Sequence, residues 1–303
     1  MKELYQIAGI TKQALWKHCN ASKKKEAVRD QVVGILKKER VNHKRMSSRK
    51  IYSLHKAQLP IGRDIFEKIA FENGFKLKVK RSSHKTTWSQ KVEIFPNLIE
   101  GLEINNVNRV WQSDIFYLSV EGRHYYGVTI QDIYTRKLLA LHLSGSLQAE
   151  QNIKALNKAL SLRKGTVLSG CIFHSDRGSQ YISTAHKELL KSHKMELSMC
   201  LMPQQNAYVE RLQGILKHEY FYEHKPTAQN LQQLAAKIQK WYNNERPHLN
   251  LGMMTPEAFE EHVQNLPASK RPKMQIHNGY AHLSTKNDTS NKKEKSSKKE
   301  KIL

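Results

Sequence analysis

The 303-residue chain has only three cysteines, Cys19, Cys171 and Cys200, set far apart. An odd number without paired spacing excludes a disulfide framework and points to free thiols in a reducing cytoplasm. No Cys-x-x-Cys occurs and His18-Cys19 has no matching partner, so the 15 histidines do not make a zinc module. No stretch approaches the ~20 apolar residues that cross a bilayer, and the amino terminus lacks a signal-peptide core. A soluble, intracellular protein with no membrane partner is expected.

Acid is the other shortage. Lys and Arg total 51 against 27 Asp and Glu, a formal net charge of +24. Such a surplus calls for a polyanionic partner, nucleic acid before acidic membrane. It is also uneven. Residues 1–91 hold 23 Lys/Arg against 7 Asp/Glu, and residues 286–303 hold 7 Lys against 3 acids, which leaves the middle close to neutral. The length suits two domains and a tail.

The basic amino-terminal region reads as helical. Residues 3–8 and 11–19 suggest two short helices around Gly9, with Thr11 as N-cap. They form a candidate helix-turn-helix, or a plain helical hairpin, presenting Lys12, Gln13, Trp16 and Lys17. Residues 26–40 carry Val28, Val32, Ile35 and Leu36 at helical spacing. A second candidate helix-turn-helix spans 47–56 and 63–73, the latter opening at Arg63 and closing at Gly74. Lys76, Lys78, Lys80 and Arg81 follow as a basic linker. Residues 1–91 are therefore expected to bind DNA phosphate, 92–104 to connect, 105–267 to form the core with its carboxyl-terminal helices, and 268–303 to be a basic, disordered tail.

Within that core three carboxylates stand out. Asp114 interrupts the strand-like run 109–118, Asp176 follows the apolar run 170–174, and Glu210 lies on a helix expected over 205–219. Two strand-borne aspartates and one helix-borne glutamate suit a pair of Mg²⁺ or Mn²⁺ ions, hard cations that favour oxygen and serve in-line phosphodiester chemistry. Asp132 ends a strand and reads as a turn residue. Glu219 lies nine residues beyond Glu210, about half a revolution round the helix, and cannot share its face.

The string His174-Ser175-Asp176-Arg177-Gly178-Ser179-Gln180-Tyr181 resembles the DDE transposases of bacterial insertion sequences, within the retroviral-integrase superfamily. Trp241-Tyr242-Asn243-Asn244-Glu245-Arg246-Pro247-His248, with Leu251 and Thr255-Pro256, resembles that family's closing signature. The likeness is greatest to the group whose catalytic subunit is encoded by a second reading frame, and it runs from the chain's start to about His262. One departure is the spacing: 33 residues separate Asp176 from Glu210 where the family usually has 35. Residues 198–205 also lack the family's glycine and aspartate, which bears on loop contacts more than on the metal site.

The resemblance implies an α/β, ribonuclease-H-like mixed five-stranded sheet whose first and fourth strands are neighbours, bringing Asp114 beside Asp176. It implies that Asp114 bridges two metal ions while Asp176 and Glu210 complete one shell each. Cleavage at element ends and strand transfer would follow, with DNA as partner, a homo-oligomer on DNA, and a separately encoded upstream subunit as a further partner. Localisation would be cytoplasmic, at the nucleoid. Lys217, seven residues beyond Glu210, shares its face and reads as a DNA contact or an ordinary surface lysine. Arg211 and Asn206 are weaker candidates for phosphate contact and for support of the site. His174 reads as an orienting residue behind Asp176 or as a packed strand-end histidine. Arg246 and His248 read as DNA contacts or as braces for the last helices. Two rivals stay open: a ribonuclease-H-like nuclease that does not join strands, and a DNA-binding regulator with an inactive core.

Overall fold

A computed structural model describes residues 11–77, 95–200, 203–277 and 280–282. The helix expected at 3–8, Lys78, Lys80 and Arg81 of the basic linker, and the tail at 286–303 lie outside the described residues.

The amino-terminal expectation needs correction. Thr11 does cap a helix, its Oγ1 accepting from the Ala14 amide at 3.1 Å. That helix, α1 (Lys12–Asn42), does not stop at Cys19 but runs for 31 residues. The stretch 19–25 lacks the apolar spacing that suggests a helix, yet it contains no Gly or Pro to end one. Only the second half of α1 packs. Val32 and Leu36 meet Met46, then Ile51 of α2 (Ser48–His55) and Phe66 and Ala70 of α3 (Arg63–Glu72). The pair α2–α3 forms where expected, and Gly74 closes α3 with a φ of 81°, which costs glycine little.

The rest is built on two sheets. β1 (Glu103–Ile104) belongs to a small one; β2 (Val110–Val120), β3 (Arg123–Asp132) and β4 (Leu138–Ser144) form an antiparallel meander in the large one. α4 (Ala149–Leu162) leads to β5 (Ile172–Ser175), which runs parallel to β2, and α5 (Thr184–Ser192) leads to β6 (Glu196–Met199), parallel to β5. The order β4-β3-β2-β5-β6 is that of a ribonuclease-H-like sheet. Alternation along β2 divides its two faces. Trp111 packs with α4, whereas Phe116, Leu118 and Val120 pack with α6 (Ala207–Ile215) and α7 (Leu231–Asn244). Across from Phe116, Gly127 has no room for a side chain: a Cβ would lie 2.3 Å from the Phe116 ring.

The expected limits of the core were too narrow at both ends. Ile99 and Ile104 lie ahead of residue 105, Met274 and Ile276 beyond 267, and all four are buried with Val110 and with Phe259 and Val263 of α8 (Pro256–Gln264). β1 pairs with β7 (Met274–His277), which continues to β8 (Tyr280–His282). The segment after α8 therefore folds back into the core before the basic tail begins.

Asp132 is the turn residue expected and more. It is fully buried, accepting from the amides of Asn108, Tyr134 and Thr135 at 2.7, 2.9 and 3.1 Å. Arg163 stands 4.0 Å away and forks onto buried Glu260, with Nη2–Oε2 at 2.7 Å. Lys137 adds contacts to Glu260 at 3.4 Å and Glu257 at 2.8 Å. This network ties α8 to the end of β3.

Candidate active site

Asp114 and Asp176 are brought together by the one parallel crossover between β2 and β5. Ser113 is in register with Ser175, so Asp114, still within β2 and paired with Thr129, stands beside the point where the chain leaves β5 at Asp176. Asp114 lies on the sheet face that α6 covers, and Asp176 just past the end of β5. Asp114 Oδ1 accepts from the Ile115 amide at 2.8 Å, and Asp176 Oδ1 from the Gly178 amide at 3.1 Å. Glu210 is exposed on α6.

Most residues of the string 174–181 have a local task. His174, buried in β5, contacts Ser198 Oγ of β6 through Nδ1 at 2.8 Å, and the same Oγ accepts from the Leu98 amide at 2.9 Å. Ser175 Oγ donates to the Asp176 carbonyl at 3.0 Å, and Arg177 Nε to the Cys200 carbonyl at 3.2 Å. A Cβ on Gly178 would lie 3.0 Å from Asp176 Oδ1, so glycine lets the chain turn tightly about that carboxylate. Tyr181 is wholly buried, and its hydroxyl meets Ser113 Oγ at 3.0 Å, directly before Asp114.

The turn that launches α6 is fixed to the same strand. Gln112 Nε2 donates to the Gln205 carbonyl at 3.1 Å, and Asn206 Nδ2 to the Ser113 carbonyl at 3.3 Å. Asn206 is thus a link between β2 and the Glu210 helix. Beyond α6 the helix does not continue regularly: Leu216–Phe221 is π-helical, which shifts the register behind Glu210. Lys217 lies there, its Nζ 5.5 Å above the Phe116 ring and close enough to feel the charge of Asp114. Gln213 lies near Asp114 and favours its ionised form, while its buried Nε2 has no hydrogen-bond partner among the described residues. Sequence reasoning missed Gln112, Ser113, Tyr181 and Gln213; alternation along β2 and the length of the 174–181 string were the available signals.

The electrostatics are those of an uncompensated acid cluster. Burial, then the charges of Asp176 and Glu210, push the Asp114 carboxyl up to about 7. Burial also raises Asp176 and Glu210. None of the three forms an ion pair among the described residues, and no three His, Cys, Asp or Glu side chains there stand together as a finished metal cage. Asp114 and Asp176 are largely withdrawn from water and Glu210 stands at the exposed rim, so the residue types are those that suit a hard divalent cation, although the three side chains are not drawn together into a metal-holding group among the described residues. Burial lowers His174 to about 4, so it stands neutral behind Asp176, with its Nδ1 on Ser198 Oγ.

The other predicted residues fall elsewhere. Lys12, Gln13 and Lys17 are exposed on the unpacked half of α1, and Arg63, at the start of α3, pairs with Asp64 at 2.8 Å. Arg211 is exposed beside Glu210. Arg246 is not available to DNA. It is buried and forks onto Glu219, with Nη2–Oε1 at 2.8 Å and Nε–Oε2 at 2.9 Å. His248 stacks edge-on against Tyr242 and sits 3.3 Å from Arg246 Nη1, so it too is a brace. Asn243 donates to and accepts from the backbone of Leu138 on edge strand β4 at 2.9 and 2.8 Å. Glu245 reaches His43 at 3.1 Å, whose other ring nitrogen meets the Tyr220 hydroxyl at 2.9 Å. The closing signature therefore clamps the sheet edge, the far end of the Glu210 helix and the amino-terminal helices together.

Two family models, each described as an integrase core domain, match residues 105–202 and 193–256. The Insertion element IS600 uncharacterized 31 kDa protein of Shigella sonnei is 28% identical over 214 residues, covering 69% of this chain and 78% of that protein. The transposase for insertion sequence element IS904 of Lactococcus lactis is 31% identical over 173 residues, covering 55% and 67%. Among solved structures, the HTLV-2 integrase catalytic core domain in complex with magnesium is similar at 18% identity and a TM-score of 0.41, over 51% of this chain and 97% of that one. The fold and the matched segments define an integrase core domain. More narrowly, the chain belongs to the DDE transposases of bacterial insertion sequences, within the retroviral-integrase superfamily.

Proposed function

We propose that the chain cuts DNA at the ends of an insertion element and joins the freed 3′-hydroxyl to a target phosphate, using Asp114, Asp176 and Glu210 as the ligands of two Mg²⁺ or Mn²⁺ ions. The observation that supports the reading is the placement of Asp114 on β2 next to the end of β5, where Asp176 follows, with Asp114 feeling the charges of both Asp176 and Glu210 of α6 and none of the three in an ion pair among the described residues. Bound divalent cations would supply charge neutralisation at the attacking and leaving oxygens. The protein's part is positional. Tyr181 and Ser113 hold the strand before Asp114, Gly178 fixes the Asp176 carboxylate, and Asn206 with Gln112 sets the start of the Glu210 helix. Lys217, beside Asp114 over Phe116, is suited to contact the DNA strand at the reacting phosphate.

The division of labour proposed is that the basic helices at 1–91 supply most of the affinity for element ends, while the core supplies chemistry. Pairing two ends requires at least a dimer on DNA, and an upstream subunit encoded separately would assist end binding. The protein would work in the cytoplasm, at the nucleoid; no described helix is long and apolar enough to cross a membrane. A nuclease that never joins strands, or an inactive regulator, is favoured by no feature of the chain.

The test is cleavage and joining of labelled end DNA by the whole protein. Metal-borne charge stabilisation is worth several kcal/mol, so Asp114→Asn, Asp176→Asn and Glu210→Gln should each lower both steps on the order of 10³-fold or more. Affinity for DNA should hardly change. Substantial Mg²⁺-dependent activity in any one variant would remove that residue from the site, and full activity in excess EDTA would end the metal mechanism.

A further inference from the structure

The amino-terminal helices meet the core through residues 42–45, where α1 ends. His43 closes that helix, its amide donating to the Glu39 carbonyl at 3.1 Å, and it is buried. Its Nε2 lies 3.1 Å from Glu245 Oε2 and its Nδ1 2.9 Å from the Tyr220 hydroxyl. Burial lowers the imidazole from its ordinary range, so the ring is neutral. A carboxylate only accepts, so Nε2 donates to Glu245 and Nδ1 accepts from Tyr220. On either side, His224 Nε2 donates to the Asn42 carbonyl and Lys44 Nζ to the Glu223 carbonyl, each at 2.9 Å. The Tyr220 ring is wholly buried and stacks on Trp241 of α7, with centroids 6.3 Å apart.

Tyr220, Glu223 and His224 belong to the helical run that starts with α6, carries Glu210, and widens into the π-turn Leu216–Phe221. Three residues of that π-turn are fixed from three sides. Lys217 Nζ lies 5.5 Å above the Phe116 ring of β2, Glu219 accepts the Arg246 fork at 2.8 and 2.9 Å, and Tyr220 meets His43. A shift of register by one residue rotates everything beyond it by about 100°. The Tyr220 hydroxyl therefore reaches His43 only while the π-turn is in place. Such turns are rare within α-helices and are frequent at functional sites. This one is held from outside by the closing signature and by the amino-terminal unit.

We infer that His43 is a positioning residue for DNA cutting: through the Tyr220 hydroxyl, the amino-terminal unit holds the π-turn in the register that sets Lys217 over Phe116. Phe116 lies two residues along β2 from Asp114, on the same face of the sheet. Helices proposed to grip element ends thus also shape the site that cuts them. The inference rests on the catalytic reading for the part played by Lys217 and the carboxylates. Undocking of the helices would leave the Tyr220 hydroxyl without its acceptor, in the stacked aromatic layer beside Trp241. Docking and order in the π-turn therefore favour each other, and the effect is reciprocal.

The experiment uses the whole protein and an element-end duplex. Single-turnover cutting is read with Mg²⁺ at saturating protein, and Kd is read in EDTA by fluorescence anisotropy. His43→Phe and Tyr220→Phe should each slow cutting roughly tenfold, with Kd within about twofold of native. The double variant should be no slower than the slower single, because one contact is lost. His43→Asn, whose Oδ1 can take the place of Nδ1, should recover most of the rate. Lys217→Met should slow cutting in the native background and change it less than about twofold in the His43→Phe background. Native cutting in either phenylalanine variant, a loss confined to Kd, or losses that multiply fully with Lys217→Met would overturn the inference; so would native cutting by Lys217→Met. Thermal unfolding checks each variant, and if His43→Phe does not fold, Tyr220→Phe, which loses a single oxygen, carries the same test. Loss of cutting in Asp114→Asn with native cutting in His43→Phe sinks this inference alone. Native cutting in Asp114→Asn sinks the metal-site reading instead.

Discussion

Two groups of acids lie in the same core and are treated in opposite ways. At the end of β3, Asp132 is wholly buried, accepts from three backbone amides and faces Arg163, which forks onto Glu260 beside Lys137. Elsewhere on the sheet, Asp114 and Asp176 each accept from one backbone amide, and neither they nor Glu210 form an ion pair among the described residues. The first group is neutralised from within, and it fastens α8 to the sheet. The second is left in mutual repulsion where the sheet and α6 open to solvent. Under the proposed reading a bound divalent cation supplies the missing charge. The difference teaches where to look for chemistry: a buried acid with its partners marks architecture, and a half-buried one without them marks a site.

Breaking the neutralised group should have the largest effect on stability. Arg163→Met leaves Glu260 and Asp132 buried without their cation, and loss of about 3–5 kcal/mol is expected, read as a lowered midpoint of urea unfolding. A midpoint close to native would mean that the network contributes little. Removing an acid from the other group should act in the reverse sense. The folded-state carboxyl of Asp114 is raised to about 7, well above its unfolded value of about 3.9. Its contribution to stability is therefore complete below about pH 4 and is lost as pH rises through about 7. Without divalent metal, Asp114→Asn should be more stable than native by up to about 4 kcal/mol at pH 8 and no more stable at pH 4. A variant that is less stable than native at pH 8 would show that Asp114 is already compensated. The smallest effect sharpens the contrast within the neutralised group. Lys137→Met removes its outer cation, but Arg163 still holds Glu260, and Glu257 is exposed enough to be solvated. A loss of about 1 kcal/mol or less is expected, and a loss equal to that of Arg163→Met would contradict the ranking.

Much of the site was legible because its signals are local. Alternation along 109–120 marks a strand with Asp114 on a definite face, and the run 174–181 packs a strand end, a turn glycine and a buried tyrosine into eight residues. What the sequence hid was long-range or lacked punctuation. Nothing in residues 19–25 marks continuation of α1, because an exposed helix needs no apolar stripe once nucleated. The pairing of β1 with β7 joins two-residue and four-residue strands from opposite ends of the core, beyond the reach of any period. Arg246 read equally as a phosphate contact because its true partner, Glu219, is 27 residues away and had been set aside only for being on the wrong face. Glu219 lies on the π-helical turn, where spacing on a regular helix no longer sets its direction, and it is committed to Arg246.

The central claim is that Asp114, Asp176 and Glu210 await a divalent cation, and it is tested most directly by the protons released when one binds. A carboxyl raised to about 7 is near half-protonated at pH 7 and must ionise to become a ligand. Mn²⁺ should be titrated into the whole protein at pH 7 by calorimetry, in buffers of differing ionisation enthalpy. The account predicts release of roughly half a proton or more per native protein, falling toward zero at pH 9, with both release and tight binding lost in Asp114→Asn. Unchanged Mn²⁺ affinity and equal proton release in Asp114→Asn would contradict it.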